Sequence, residues 1–424
     1  MINDLKEKIK NGGLDNIFAQ LYCGAEFIEK QRERYIGALD SFKNIYGDGE
    51  VEVYSAPGRT EVGGNHTDHQ NGRVLTASIN LDAIAVCAKR EGTIIRITSE
   101  GYGEISVDIS NLDVVPEEKE STAAIIRGTV AAMNNRGYNV GSFDAYVTSD
   151  VLSGSGLSSS AAFEVLIANI ISGIYNNSGV DPIVIAQIGK EAENKYFGKP
   201  SGLLDQMASS VGGLINIDFK DPKNPVVKKV DVDFNKYNHS LCIVDTKGSH
   251  ADLTDEYAAV TVEMKKVSQF FGVNYLSEVD KDEFYKNLAE IRKVTGDRAV
   301  MRAMHWFSEN IRVDGQVAAL TADDFEQFKK LIKTSGDSSY KYLQNVYSAK
   351  NVEEQNVSVA LALSDEILGD KGVSRVHGGG FAGTIAAFVP NDMVAIYKNK
   401  MEAVFGDDAC YILKIRPVGG TRIA

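Results

Sequence analysis

The chain contains 424 residues, of which 43% are hydrophobic and 24% are charged, an ordinary composition for a globular protein with two or three sizeable domains. Its formal net charge of -13 argues against a nucleic-acid-binding surface. The four cysteines form no CxxC pair, which indicates neither a zinc site nor a disulfide framework. No apolar run approaches the roughly 18 residues that cross a bilayer, and the charged start MINDLKEKIKNGG is not typical of a signal peptide. We therefore expect a cytoplasmic protein.

A dense group of polar residues lies between two predicted strands early in the chain. Residues 1 to about 48 predict helices with a broken apolar stripe, and we find no chemistry in them. The alternating run EVEVYSAPG predicts a strand, and the loop GRTEVGGNHTDHQNG follows it before VLTASINLDAIAVCAKR resumes strands. A single histidine such as His66 more often has a structural role than a functional one. Together with Arg59, Asn65 and Asp68 within ten residues, it indicates a functional site.

The stretch VLSGSGLSSSAA, residues 151–162, joins a predicted strand to a predicted helix. Gly154 and Gly156 allow the backbone to approach a ligand, and the serines at 158–160 supply hydroxyls where a helix leaves its first N–H groups unpaired. Such a helix start suits a phosphate, although a simple turn with an N-cap accounts for these residues equally well. A Walker loop is excluded because no Lys follows the last Gly, and the dinucleotide fingerprint is excluded because Ser159 stands at its third Gly.

Two carboxylates stand out in the next part of the chain. Helices are predicted over Thr122–Asn134 and Pro182–Tyr196, and the second runs into EAENKYFGKPSGLLDQMAS. Glu193 lies near the C-terminal end of that helix, whereas Glu191 is interpreted as a solvated surface charge. Asp205 is flanked by leucines and a methionine, so its carboxylate is expected to be half buried and to require a partner.

The sequence changes character at about residue 215, where we place a domain boundary. LINIDF and SLCIVDTK predict a strand pair, and amphipathic helices follow to about residue 370. The run SRVHGGGFAGT then places glycines at 378–380 and 383, which require close backbone approach or unusual dihedral angles. A ligand-facing loop is favoured over a tight hairpin.

The three glycine-rich segments, SAPGRTEVGGNHTDHQNGRVL, GSGLSSSAA and HGGGFAGT, resemble in this order and spacing the galactokinase branch of the GHMP small-molecule kinases. The resemblance extends from about Phe42 to the C-terminus. It implies an α+β, two-domain fold with mixed sheets and flanking helices, and an active site in the cleft between the domains. The expected divisions are a helical N-terminal extension at 1–40, an N-terminal kinase domain at 41–214, and a C-terminal kinase domain with a ferredoxin-like element at 215–424.

The resemblance also implies a role for each matching position. Asp205 falls at the position of the base that accepts the sugar's anomeric proton, and Arg59 at that of the cation that stabilises the transferring phosphoryl group. Ser160 and Glu193 fall on the ligands of Mg²⁺, which prefers such oxygen donors. The nucleotide phosphates are expected at Gly154, Ser155, Gly156, Leu157, Ser158, Ser159 and Ser160. The sugar contacts are expected at Asn65, His66, Asp68, Gly202 and Tyr257.

The sugar motif departs from the family pattern at three positions. Glu61 stands where the family has Asn, Asn65 where it has Glu, and His69 where it has Tyr. The family's Glu contacts an outer sugar hydroxyl, so its loss bears on the substrate, and the stretch is also similar to that of plant galacturonate kinases. We expect Glu61 to fill the space vacated at position 65, which keeps galactose as substrate. If Glu61 points away, a uronic acid carboxylate no longer meets a fixed negative charge.

The resemblance implies an ATP- and Mg²⁺-dependent sugar 1-kinase that converts D-galactose to α-D-galactose 1-phosphate. The expected partners are a small-molecule sugar and ATP as co-substrate, with no nucleic acid, membrane or obligate protein partner. A related 1-kinase for galacturonate or an N-acetylated hexosamine is the alternative. A non-catalytic galactose sensor is disfavoured because GLSSSAA, Glu193 and Asp205 are all present.

Overall fold

The structure of the protein is a computed structural model that describes residues 1–151, 156–199, 201–249 and 253–424, apart from the side chain of Asn235. The helices in these residues are α1 (Ile2–Lys10), α2 (Asp15–Tyr22), α3 (Ile28–Tyr46), α4 (Thr122–Asn135), α5 (Ser159–Asn176), α6 (Pro182–Glu191), α7 (Leu204–Val211), α8 (Thr254–Phe270), α9 (Lys281–Lys286), α10 (Leu288–Thr295), α11 (Asp297–Thr321), α12 (Phe325–Ser338), α13 (Asn356–Leu368) and α14 (Val394–Phe405). The strands are β1 (Glu52–Gly63), β2 (Arg73–Lys89), β3 (Ile94–Ser99), β4 (Glu104–Asp108), β5 (Phe143–Ser149), β6 (Leu214–Asp218), β7 (Val226–Val230), β8 (His239–Asp245), β9 (Val373–His377), β10 (Thr384–Pro390), β11 (Cys410–Leu413) and β12 (Thr421–Arg422).

The chain divides into two compact units. Unit 1 comprises Met1–Arg59, Ala77–Gly213 and Lys414–Ala424, and unit 2 comprises Thr60–Thr76 and Leu214–Leu413. The mixture of helices with a mixed sheet and an antiparallel sheet places the chain in the α+β class that the resemblance implied. Within the described residues, no helix combines the length and the apolar character that crossing a membrane requires.

Unit 1 is built on a mixed sheet with the strand order β12-β1-β2-β5-β3-β4. β2 pairs antiparallel with β5, whereas β3 and β5 run parallel. Helices α4 to α6 cover this sheet and bury Ile126, Leu166 and Ile188 against it. Capping residues determine where two of these helices begin. The Ser121 side chain accepts a hydrogen bond at the start of α4, and Asp181 precedes Pro182 at the start of α6.

The N-terminal helices α1 to α3 form a second core within unit 1. Phe18 and Leu39 are fully buried together with Val53 and Ile84 of the sheet. The apolar stripe of this segment therefore packs as an integral part of unit 1.

Unit 2 contains an antiparallel sheet with the order β11-β8-β10-β9. With the helices between β8 and β9, and with α14 between β10 and β11, this is the β-α-β-β-α-β pattern of ferredoxin-like folds. Of the helices between β8 and β9, α8 to α11 enclose a separate apolar cluster that includes Met264, Phe284 and Ile291.

Two expectations about local structure require correction. LINIDF and SLCIVDTK do form β6 and β8, but β6 pairs with β7 while β8 pairs with β10 and β11, so they are not partners. An alternating pattern defines a strand and leaves its partner open. The helix predicted over Pro182–Tyr196 is α-helical only to Glu191 and continues as a π-helical turn over Ala192–Phe197, which carries Glu193.

A buried carboxylate connects several segments of unit 1. Asp82 is inaccessible to solvent and accepts hydrogen bonds from Arg34 at 2.6 Å, from the Tyr22 hydroxyl at 2.8 Å and from Arg416 at 3.0 Å. Burial alone would raise the pKa of Asp82, but the charges of Arg34 and Arg416 hold it below its ordinary value. The pair of arginines therefore keeps this carboxylate ionised inside the protein.

We expect Asp82→Asn to lower the free energy of unfolding at pH 7 by about 3–5 kcal/mol, because Arg34 and Arg416 lose their shared counter-charge. The folded-state pKa lies below the unfolded value of about 3.9, so this contribution is present above about pH 4 and is lost as the pH falls further. Thermal denaturation of the parent and the variant at pH 7 and pH 3 measures it. Asp4→Asn is the control, since its side chain is 82% exposed. A penalty that did not shrink at pH 3 would contradict the assignment.

Candidate active site

An ion pair in unit 1 joins β1 to α7. Arg59, which is 9% exposed, donates from Nε to Asp205 Oδ1 at 2.7 Å and from Nη2 to Asp205 Oδ2 at 2.9 Å. The same guanidinium donates from Nη1 to the Gly156 carbonyl at 2.6 Å. Burial favours the neutral acid, but Arg59 and the Ser158 hydroxyl lower the pKa of Asp205 below its ordinary value. The arrangement is a fixed carboxylate with a 37% exposed side chain beside a permanent cation.

Helix α5 begins next to this ion pair. Its N-cap residue Ser158 adopts a left-handed conformation with φ of 59°, and its hydroxyl donates to Asp205 Oδ2 at 2.6 Å. The sequence predicted that this hydroxyl would serve the helix start, but the structure assigns it to Asp205 and gives α5 no side-chain cap. The 18-residue helix therefore directs its partial positive charge toward Ser159 and Ser160 without a capping oxygen.

A cluster of buried polar side chains lies behind α5. The Gln206 amide donates to Glu164 at 2.9 Å and to Glu193 at 3.0 Å, and all three residues are at most 4% exposed. Burial and the neighbouring Glu193 raise the pKa of Glu164 well above its ordinary value, which favours its neutral form. Lys199 donates to the other Glu193 oxygen at 3.0 Å. Both carboxylate oxygens of Glu193 therefore accept hydrogen bonds, and one of the donors is the Lys199 cation.

The predicted magnesium ligands Glu193 and Ser160 would supply only part of the coordination shell of a magnesium ion. The described residues contain no group of three or more His, Cys, Asp or Glu side chains that could hold a metal. One carboxylate and one hydroxyl, as at Glu193 and Ser160, suit Mg²⁺ when water and phosphate oxygens complete its shell.

A cavity of about 560 Å³ opens beside the start of α5 in unit 1. This volume lies within the range of small-molecule sites. Its walls combine apolar and polar groups from Ala83, Ser99, Glu100, Tyr102, Ile105, Glu120, Thr122, Ile125, Val147, Thr148, Ser149, Val151, Ser159, Ser160, Phe163 and Phe197. A mainly apolar cavity that ends at an uncapped helix start can accept a planar apolar group linked to phosphates.

The swapped residues Glu61 and Asn65 lie together in unit 2. Glu61 is 7% exposed and forms an ion pair with Arg375, which is 1% exposed. The Asn65 amide nitrogen donates to Glu61 at 3.1 Å and to the Gly378 carbonyl at 2.7 Å. Its amide oxygen accepts from Asn345 at 2.9 Å and from Ser339 at 3.1 Å. Asn65 is inaccessible to solvent, so its hydrogen-bonding capacity is used by the loop and by other residues of unit 2.

Helix α11 holds the backbone of the same loop. Glu309 accepts from the Gly64 amide at 3.1 Å, and the Trp306 indole donates to the Thr67 carbonyl at 3.1 Å. His305 Nε2 lies 2.9 Å from the Asn65 carbonyl. Because burial lowers the pKa of His305 to about 4, it is neutral near pH 7 and donates from this nitrogen. One helix face therefore fixes three successive parts of the loop.

Three predicted sugar contacts lie in unit 2 on or near this loop. His66 has a φ of 55° and its Nε2 lies 3.1 Å from the Gly379 carbonyl. The Tyr257 hydroxyl donates to the Gly380 carbonyl at 2.8 Å, while Asp68 is half-buried at the start of a short 3₁₀ turn. Burial lowers the pKa of His69 to about 3, and its ring lies 5.6 Å from that of His66.

Comparison with known proteins places these features in a family. The model of the galactokinase galactose-binding signature matches residues 40–89, and that of the GHMP kinase N-terminal domain matches residues 124–213. The galactokinase of Glaesserella parasuis serovar 5 is 30% identical over 360 residues, which cover 83% of this chain and 89% of the relative. This chain belongs to the galactokinase family. The galactokinase of Clostridium tetani is 28% identical over 365 residues, which cover 85% of this chain and 89% of the relative.

Solved structures show the same fold. A galactokinase from Lactococcus lactis, solved in complex with galactose, superposes with a TM-score of 0.78 over 91% of this chain and 99% of that one, at 24% identity. A mevalonate kinase from Methanococcus jannaschii gives a TM-score of 0.59 at 16% identity, over 87% of this chain and 99% of that one. The fold is therefore that of galactokinases and their GHMP relatives.

The structure brings the predicted galactokinase residues into two groups. Arg59, Asp205, Ser158 and the start of α5 lie together in unit 1, where Leu157 is buried and Ser160 is exposed. Gly202 is half-buried in the segment that leads into α7, and Glu193 lies on the π-helical turn. The predicted phosphate contacts Gly154 and Ser155 lie outside the described residues.

Sequence reasoning missed several residues that contact the predicted site residues. Gln206 and Glu164 were not singled out, and nothing in their local pattern distinguishes a buried polar pair from a surface one. Arg375 lies directly before the third glycine-rich motif, in SRVHGGG, and an arginine on a strand flanked by apolar residues is a signal for a buried counter-charge. Glu309 and Arg312 are spaced for a helical ion pair, which gave no indication of the bond to Gly64.

We expect Glu309→Gln to weaken unit 2 in a pH-dependent way. Burial alone would raise the pKa of Glu309, but the charges of His305, which is protonated only below about pH 4, and of Arg312 lower it from 4.5 to about 2. The stabilisation that comes from ionised Glu309 is present above pH 4.5 and is lost as the pH falls toward 2. Calorimetric melting temperatures of the parent and the variant should therefore differ at pH 7 and converge toward pH 3. Glu326→Gln, whose side chain is 73% exposed, is the control, and a difference independent of pH would count against this role.

Proposed function

We propose that this protein catalyses the ATP-dependent phosphorylation of the anomeric C1 hydroxyl of D-galactose to give α-D-galactose 1-phosphate. The observation that supports it is the bidentate Arg59–Asp205 ion pair, held by Ser158 at the start of α5, in a chain of the galactokinase family. A carboxylate beside a fixed cation and an anion-binding helix start are the groups that phosphoryl transfer to a hydroxyl requires.

Asp205 is the proposed base. Its carboxylate orients the C1 hydroxyl and takes its proton as the hydroxyl oxygen bonds to the γ-phosphorus and the bond from that phosphorus to the leaving ADP oxygen breaks. Because its pKa is lowered, Asp205 stays ionised and available at neutral pH. Arg59 counters negative charge on the transferring group, and its third hydrogen bond, to the Gly156 carbonyl, keeps its orientation fixed.

We place the base and ribose of ATP in the 560 Å³ cavity and the phosphates at the start of α5. The α5 backbone amides and the loop at 154–160 are the proposed phosphate contacts. Ser160 and Glu193 are the proposed Mg²⁺ ligands, with Gln206 orienting the Glu193 carboxylate and Lys199 occupying its other oxygen. Bound Mg²⁺ would neutralise charge on the β and γ phosphates.

The sugar contacts are proposed at His66, Asp68, Gly202 and Tyr257. Asn65 belongs to the same set, but its complete burial assigns it the task of shaping the loop. Glu61 lies beside Asn65 and supplies the counter-charge of buried Arg375. The loop therefore keeps one carboxylate and one amide, as in the family pattern, and this supports galactose.

Replacing Asp205 with Asn keeps the side-chain shape but removes the proton acceptor. We expect kcat for galactose to fall by roughly 10²–10⁴, with galactose affinity largely kept. A coupled ADP-release assay measures turnover, and calorimetry measures sugar binding. Asp297→Asn, whose side chain is 65% exposed, is the matched control and should retain parental turnover. Near-parental activity of Asp205→Asn would exclude it as the base.

The exchange of Glu and Asn between positions 61 and 65 is tested by variants that restore the family's residues. Asn65→Glu alone places a second carboxylate beside Glu61, so we expect lost stability and lost galactose activity. Glu61→Asn combined with Asn65→Glu restores one carboxylate near Arg375, so we expect most of the activity to return.

The measurement is kcat/KM for galactose and for galacturonate on the parent and on both variants. On the parent, galactose should be preferred by more than tenfold, about 1.4 kcal/mol in transition-state binding. A parent enzyme that preferred galacturonate would refute galactose as the substrate and leave the kinase chemistry of Asp205 intact.

A further inference from the structure

Arg34 of the N-terminal helix α3 contacts strands β2 and β5 of unit 1. The Arg34 side chain is 9% exposed, and its Nη1 donates to the Asp82 carboxylate at 2.6 Å. Its Nη2 donates to the backbone carbonyl of Asp82 at 2.9 Å and lies 3.4 Å from the carbonyl of Thr148. A single guanidinium thus bonds backbone groups of both β2 and β5, which only a planar donor with several N–H groups can do.

Strands β2 and β5, where Arg34 contacts them, also form a wall of the 560 Å³ cavity. Ala83 pairs with Ser149 where β2 and β5 run antiparallel, and both line the cavity. Thr148 lines it as well, although its carbonyl is within reach of Arg34. The residues that line the cavity and the residues that Arg34 contacts are therefore the same or adjacent residues of these strands.

The chain just beyond β5 is held in the same way. The Asp150 amide donates to the Asp82 carbonyl at 2.9 Å, the oxygen that also accepts from Arg34. The Asp150 carboxylate lies 3.4 Å from Arg34 and 3.5 Å from Lys30 of the same helix. Val151, the next residue, lines the cavity. The cations of α3 thus balance a negative charge that would otherwise stand beside a site for an anionic nucleotide.

We propose that Arg34 is a positioning residue for ATP, which makes helix α3 a functional part of the nucleotide site. The inference rests on the proposed function, since it takes the 560 Å³ cavity as the place of the nucleotide base and ribose. The galactose-binding signature matches only from residue 40, so Arg34 lies outside the residues of that signature. Arg34 acts through the middle of β2 and the end of β5 and does not itself touch the nucleotide.

The other contacts of the N-terminal segment separate this role from simple stability. Phe18 and Leu39 bury apolar surface against the sheet, and the Tyr22 hydroxyl bonds Asp82. These contacts hold the segment in place independently of Thr148 and Asp150. Losing Arg34 should therefore loosen the cavity wall while the segment remains docked.

The test is Arg34→Met, which keeps an apolar side chain of similar length and removes the charge and the donors. We expect KM for ATP, and the Kd of a non-hydrolysable ATP analogue, to rise at least fivefold, with KM for galactose within twofold of the parent. Arg32→Met on the same helix is the matched control. Arg32 pairs with Asp15 and Glu29, away from β5, so its replacement should leave both constants unchanged.

Two milder variants keep the inference testable if Arg34→Met does not fold. Arg34→Lys retains the charge but cannot span Asp82 and Thr148, and Asp150→Asn weakens the link from the loop side alone; both should raise KM for ATP by two- to threefold. Melting temperatures that fall while ATP constants stay parental in these variants would overturn the inference and leave the proposed function standing. A parent enzyme that bound no ATP would overturn both.

Discussion

The arrangement of the candidate active site depends on the ion pair between Arg59 and Asp205. The two residues are far apart in sequence, on β1 and at the first turn of α7, and a buried charge is costly unless a partner meets it. The bidentate geometry fixes the relative position of those two elements in unit 1. Ser158 is recruited to the same carboxylate, which leaves the start of α5 without a side-chain cap. The demand of one carboxylate for donors thus leaves an uncapped helix start, which suits an anion, beside the proposed base.

The same constraint explains the unusual sugar motif in unit 2. Arg375 is almost fully buried, and its charge has to be balanced whichever residue of the loop carries the carboxylate. Here Glu61 balances it, and Asn65 adapts because an amide can donate to that carboxylate and accept from Asn345 and Ser339 at once. The departure from the family pattern therefore moves the charge along the loop while the loop keeps one carboxylate and one amide.

Local patterns predicted the elements of the fold better than their partners. The strand β5 and the helix α5 follow from hydrophobic periodicity, and α4 follows from periodicity and capping, which act over a few residues. The pairing of β8 with β10 joins residues 241 and 388, and no local pattern specifies such a choice. The α+β class itself came from the motifs and their resemblance to a family.

The site was predictable to the extent that its residues belong to motifs. Asp205 was expected to need a partner because it lies among apolar residues, and the structure supplies Arg59. The hydrogen bond from Gln206 to Glu164, 42 positions away, had no such signal. Asp82 shows why: its sequence neighbours are ordinary strand residues, and only the meeting of α3, β2 and Arg416 makes it a buried junction. Because that junction also contacts the cavity wall, the packing of α3 and the shape of the cavity in unit 1 are consequences of the same buried charge.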